Sequence, residues 1–106
     1  MREIDDPIDY EEAMRAVKIY RKVGNGFQEG RMLLRAGTSR LSDKPGQAEG
    51  LLRKAQALLC PCGRTKTLAK CLSALASARL FAGDIAKAQK LHGEAIQVLH
   101  ELGESI

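Results

Sequence analysis

Gly83-Asp-Ile-Ala-Lys-Ala-Gln-Lys-Leu-His-Gly-Glu-Ala-Ile-Gln-Val-Leu99, continuing through His100-Glu-Leu to Gly103, reads as one amphipathic helix with a marked start and a marked stop. Ile85, Ala88, Leu91, Ala95, Leu99 and Leu102 recur at three- and four-residue steps, which places them along one stripe of a 3.6-residue helix. Asp84 suits the N-cap, where a short side-chain oxygen can accept from the first turn. Gly103 suits the stop, because the left-handed backbone that ends a helix strains any residue with a Cβ.

The rest of the chain repeats this logic. Asp6-Pro7 with acids after it opens a first helix over about 7–23, with Ala13, Ala16, Val17, Tyr20 and Val23 inward. Gly24-Asn-Gly26 breaks it. A second helix is predicted over 27–41, carrying Met32, Leu33, Ala36 and Leu41. A third over 45–59 presents Ala48, Leu51, Leu52, Ala55, Leu58 and Leu59, and a fourth over 65–82 presents Leu68, Leu72, Leu75, Ala76 and Phe81. The opening stretch is the fifth, over 84–102. Connections this short make successive helices antiparallel neighbours.

Composition agrees. The 106 residues are 44% apolar but only 4% aromatic, with no Trp, and Ala, Leu, Arg, Lys, Glu and Gln dominate, which favours helix over sheet. A single all-α domain over 1–106 is expected, standing alone or as part of a longer array. With 17 basic and 13 acidic residues the net charge is +4, a mild lean toward anionic partners rather than the dense basic stripe of a nucleic-acid binder. No apolar run approaches the ~18 residues that span a bilayer, and the acidic, polar start does not read as a signal peptide. A cytoplasmic chain without a membrane partner is the expectation. Three cysteines, an odd number, do not form a disulfide framework.

Comparing the chain with itself reveals a period. A shift of 40 residues carries Ala48 to Ala88, Leu51 to Leu91, Ala55 to Ala95, Leu59 to Leu99 and Gly63 to Gly103. A shift of 39 carries Leu33 to Leu72, Gly37 to Ala76, Tyr20 to Leu59 and Gly24 to Gly63. The unit is a helix pair of roughly 40 residues, the signature of a stacked array. Small residues at Gly37, Ala48, Ala55, Ala76, Ala88 and Ala95 allow close helix axes.

Leu72-x-x-Leu75-Ala76, then Gly83-Asp-Ile-Ala-Lys-Ala88, then Ala95-Ile96, resembles a tetratricopeptide repeat of the roughly 40-residue kind. One unit is covered well, a second more loosely over about 30–63, and the first helix matches the second half of a preceding unit. The chain departs from the family pattern at Arg40 and Arg79, at Leu52 and His92, at Lys44-Pro45 and at His100. The resemblance implies a right-handed α-α superhelix whose first helices line a concave, partner-binding groove. By that resemblance the groove holds Arg31, Leu34, Thr38, Leu41 and Ser42 in one unit and Lys70, Ser73, Ser77, Leu80 and Phe81 in the next. A protein or a peptide of acidic character is the implied partner, and the end face of the last helix suggests self-association as a homodimer.

Chemistry is sparse by contrast. Cys60-Pro-Cys62 with Cys71 offers thiolates, but C-x-C lacks zinc-knuckle spacing, so a helix-end turn with small buried thiols is expected, with a metal or redox sensor as an alternative. His92 and His100 share a helix face about two turns apart, too far to chelate one ion alone, and His92 is expected between helices. Gly24-Asn-Gly26 and Gly63-Arg-Thr-Lys-Thr67 lack the full phosphate-loop pattern and read as turns. No catalytic grouping, metal site or cofactor can be assembled, so the chain is read as a non-enzyme. Nucleic-acid association or transcriptional regulation is the alternative from another class.

Overall fold

Gly24, Gly63, Gly83 and Gly103 all adopt positive φ, of 75°, 99°, 83° and 77°, and these turns divide the chain. A computed structural model describes residues 10–103. Between the turns lie α1 (Tyr10–Lys22), α2 (Gly26–Ser39), α3 (Pro45–Leu59), α4 (Lys66–Phe81) and α5 (Ile85–Glu101). Cys60–Cys62 forms a 3₁₀ turn after α3, and the described residues contain no strand. The expected start of the first helix, at Asp6, Pro7 and Ile8, lies outside the described residues.

Local chemistry sets the helix starts. The Asn25 side chain accepts from Gln28 N–H at 3.1 Å, Thr65 Oγ1 from Leu68 N–H at 3.1 Å, and Asp84 Oδ1 from Lys87 N–H at 3.2 Å. No side chain caps α3, which instead begins on Pro45, whose missing N–H would have gone unpaired there anyway.

Packing is layered by sequence neighbours. α2 lies against α3 and α4 against α5, α1 covers α2, α3 touches α4, and α2 also meets α4 directly. The core runs through Val17, Leu33, Leu52, Leu59, Cys71, Leu75 and Val98, all under 2% exposed. α4 lies at the centre. Leu68, Ala69, Cys71, Leu72, Ala74, Leu75, Ala76 and Ala78 are buried around most of its circumference.

Four expected core positions are corrected. Val23 is 69% exposed, Phe81 58%, Ile85 60% and Leu102 43%. Each sits at a helix end or in the turn after it, beyond the neighbouring helix. On α5 the buried residues are Ala88, Ala95 and Val98, with Leu91 and Leu99 half-buried. Because α5 packs chiefly on α4, its buried stripe is narrower than the sequence pattern and includes Val98 in place of its two ends.

The internal period is visible as a recurring contact. Arg40 holds its guanidinium 4.2 Å from the centroid of the Tyr10 ring. Thirty-nine residues later Arg79 donates to Glu49, and the shift that carries Arg40 to Arg79 also carries Tyr10 to Glu49. The same pair of positions is therefore joined twice, once through a ring face and once through a carboxylate. Glu49 also accepts from Arg53 at 2.9 Å. Burial pushes the Glu49 carboxyl up, but the hydrogen bonds from Arg79 and Arg53 outweigh it and hold the group below its usual 4.5. The stabilisation this provides is present above pH 4.5 and is lost as pH falls through the lowered value.

Candidate functional site

α2 and α4 lie side by side, and the face they share is an open groove of about 1110 Å³. Its apolar floor is Leu34, Ala69 and Ala74, all at most 9% exposed, with Leu41 and Leu99 half-buried beside them. Hydroxyls from Thr38, Ser39, Thr67, Ser73 and Ser77 rim it. Thr38 Oγ1 donates to Leu34 O at 2.7 Å and Ser39 Oγ to Ala36 O at 2.7 Å, so both spend their proton on the helix and turn lone pairs outward.

The charges are one-sided. Arg31 and Arg35 stand one turn apart on α2, Lys66 and Lys70 one turn apart on α4, and no acid among the described residues lines the groove. Arg31 Nη1 donates to Gln28 Oε1 at 2.9 Å, while Arg35 and Lys70 are exposed. Like charges at this spacing oppose helix stability by about 0.2–0.5 kcal/mol per pair, so neither pair is there to hold its own helix. Arg31, Lys66 and Lys70 lie in the N-terminal halves of their helices, and Arg35 just past the middle of α2. Beyond them the C-terminal end of the groove is neutral, with Thr38, Leu41 and Ser77.

No family model matches the chain, and no curated protein or solved structure does so either.

Of the residues expected in the groove, Arg31, Leu34, Thr38, Leu41, Lys70, Ser73 and Ser77 come together there. Leu80, Phe81 and Ser42 do not line it. α2 ends at Ser39, which the 39-residue shift matches to Ala78, so the last turn of α4 extends past its neighbour and Leu80 and Phe81 project outward, 57% and 58% exposed. Ser42 lies in the turn after α2, where its hydroxyl donates to Asp43 at 3.2 Å. Sequence reading missed Arg35 and Lys66. The signal was available, since each is one turn from a residue already placed on that face. Leu99 was missed for another reason: it belongs to the stripe read as one inward face, and the fold leaves it half-buried at the groove's edge.

The thiols and imidazoles stand elsewhere. Cys60 and Cys62 are exposed rather than buried, which corrects the expectation of a packed turn; the 3₁₀ turn carries them beyond the end of α3. Cys62, matched by the repeat to Leu102, shares that residue's exposure and packs no core. His92 is also exposed on α5 rather than packed between helices as expected. Among the described residues no three His, Cys, Asp or Glu side chains gather at metal-binding range, and no helix is long and apolar enough to cross a membrane.

Cys71 is the buried thiol. Its Sγ donates to Leu52 O at 3.4 Å, and burial, aided by nearby Cys60, pushes its pKa up to about 12 from 9.0. Two consequences follow. A thiol reagent at neutral pH should titrate Cys60 and Cys62 quickly and reach Cys71 only on unfolding. Stability should be insensitive to this group below pH 9 and fall as pH rises from 9 toward about 12, by up to about 1.4 kcal/mol per pH unit, since the unfolded thiol ionises first. Urea titrations of the protein and of Cys71→Ala at pH 8 and pH 10 check this: the gap between the two should narrow at the higher pH.

Proposed function

We propose that this chain is a cytoplasmic, non-catalytic interaction module of tetratricopeptide-repeat-like architecture that binds an acidic peptide segment of a partner protein between α2 and α4. The one-sided charge of that groove carries the reading: among the described residues, four cations, five hydroxyls, an apolar floor and no acid. Such a lining matches a segment alternating carboxylates with small apolar side chains, the carboxylates meeting Arg and Lys as charge-assisted hydrogen bonds. The helix pairs α2 with α3 and α4 with α5, the side-by-side contact of α2 with α4, and the recurring Arg40–Tyr10 and Arg79–Glu49 contacts support a stacked-repeat arrangement.

A peptide is favoured over single-stranded nucleic acid by one observation. No aromatic residue lines the groove, so it offers no ring on which a base could stack. The test is fluorescence anisotropy with a labelled Glu/Leu/Ser peptide of about twelve residues. Arg35→Glu combined with Lys70→Glu should weaken binding about tenfold or more while leaving the thermal midpoint nearly unchanged, as both side chains are exposed. Equal binding of a lysine-rich control peptide, or indifference to the charge reversal, overturns the reading. Tighter, steeply salt-dependent binding of DNA or RNA would replace it with the nucleic-acid alternative.

A further inference from the structure

The net charge of +4 conceals a strong separation along the chain. Residues 1–12 hold six acidic residues and one basic one, whereas residues 13–103 hold sixteen basic against six acidic. Of those six, Glu29 is paired with Arg21 at 2.9 Å, Glu49 with Arg53 and Arg79, Asp84 with Arg79 at 3.7 Å, and Glu101 with Arg64 at 2.6 Å. The helical body thus has few acids to spare for its own groove. The segment before α1, Met-Arg-Glu-Ile-Asp-Asp-Pro-Ile-Asp, alternates carboxylates at Glu3, Asp5, Asp6 and Asp9 with Ile4 and Ile8. That is the chemistry the groove was inferred to accept.

We infer that residues 1–9 dock in cis on the groove between α2 and α4, setting their carboxylates against Arg35, Lys70 and Arg31 and so competing with an external acidic partner. This rests on the reading of the groove as an acidic-peptide site. Reach permits it. α1 runs antiparallel to α2, and its first described residue, Tyr10, carries Arg40 over its ring at the C-terminal cap of α2. Ser39 and Leu41, on either side of Arg40, line the end of the groove. Along α2, Arg35 and Arg31 lie about 8 Å and 14 Å from Arg40 at 1.5 Å per residue. Nine extended residues span about 30 Å, and even the six before Pro7 about 20 Å. The tether is short, so the local concentration of the segment at its own groove far exceeds that of a second copy in dilute solution.

The test compares the full chain with a variant carrying Glu3→Gln, Asp5→Asn, Asp6→Asn and Asp9→Asn, by backbone amide NMR. Neutralising the segment should move the amide signals of Arg35, Lys70 and their neighbours in the groove, equally in dilute and in tenfold more concentrated samples. It should also tighten binding of the labelled acidic peptide by about three- to tenfold, the factor expected if the segment occupies the groove for most of the time. The reciprocal variant, Arg35→Gln with Lys70→Gln, should move the Ile4 and Ile8 methyl signals. Groove signals that ignore the neutralised segment yet respond to added peptide overturn this inference alone and leave the groove reading standing. Signals that ignore both overturn the two together. A response that vanishes on dilution overturns docking in cis and assigns the segment to a second copy.

Discussion

Leu75→Ala is expected to lower the free energy of unfolding by about 3–5 kcal/mol, among the largest effects of a single truncation in this core. Leu75 is fully buried on α4, the helix enclosed by α2, α3 and α5, so neighbours on three sides hold the void open after truncation. A domain of this size has only about 5–15 kcal/mol in total. Urea unfolding followed by circular dichroism should therefore show a midpoint shifted sharply downward with little change in slope. Leu80→Ala, on the same helix but 57% exposed, is the control and should stay within about 0.5 kcal/mol. Comparable losses at the two positions would refute an α4-centred core.

Gly37→Ala reverses the usual helix rule. Replacing a helical glycine by alanine ordinarily stabilises by about 1 kcal/mol, and that is the expectation for Gly93 on α5, where an added Cβ meets nothing within 4 Å. At Gly37 the same carbon would stand 2.7 Å from Leu52 Cγ, 2.8 Å from Leu52 Cδ2 and 3.2 Å from the Ala48 carbonyl oxygen. Leu52 is fully buried and has no room to retreat. A net loss of about 1–3 kcal/mol is expected. Leu52→Ala alone should cost about 2–5 kcal/mol through its cavity. In the double variant the added methyl enters that cavity, so the combined loss should fall short of the sum by about 1 kcal/mol or more. Strict additivity would mean that α2 and α3 are not in the close contact described.

Gly30 and Gly37 also illustrate how much the chain discloses about itself. Read as residues in a helix they are weak points, yet in the fold each lies where α3 approaches too closely for a side chain. One unit later their counterparts are Ala69 and Ala76, both buried. The second helix pair tolerates a methyl where the first does not. Propensity is a property of one helix, whereas this clearance belongs to two, and no inspection of α2 alone reveals it.

The groove was legible to a similar degree. Arg31 and Lys70, one period apart, pointed to a shared face, because a repeat places equivalent residues on equivalent surfaces. Leu80 and Phe81 follow the same periodicity but fall beyond the end of α2, and periodicity carries no information about where a neighbouring helix stops. Val98, fully buried, was overlooked because Leu99 and Leu102 complete a better stripe. Two adjacent stripes of α5 are nearly equivalent in composition, and the side on which α4 lies chooses between them.

By itself, then, the sequence determined an all-helical chain, the breaks between its helices and its repeating unit. Caps at Asn25, Thr65 and Asp84 and left-handed glycines at Gly24, Gly63, Gly83 and Gly103 act within three or four residues, so their meaning is present in the chain as written. Only the tertiary structure decided which side of each helix is covered, that α4 rather than α5 forms the centre, and that Arg31, Arg35, Lys66 and Lys70 gather in one groove with no acid of the described residues among them. Those outcomes depend on how many neighbours each helix has and how far each extends, which long-range packing alone sets.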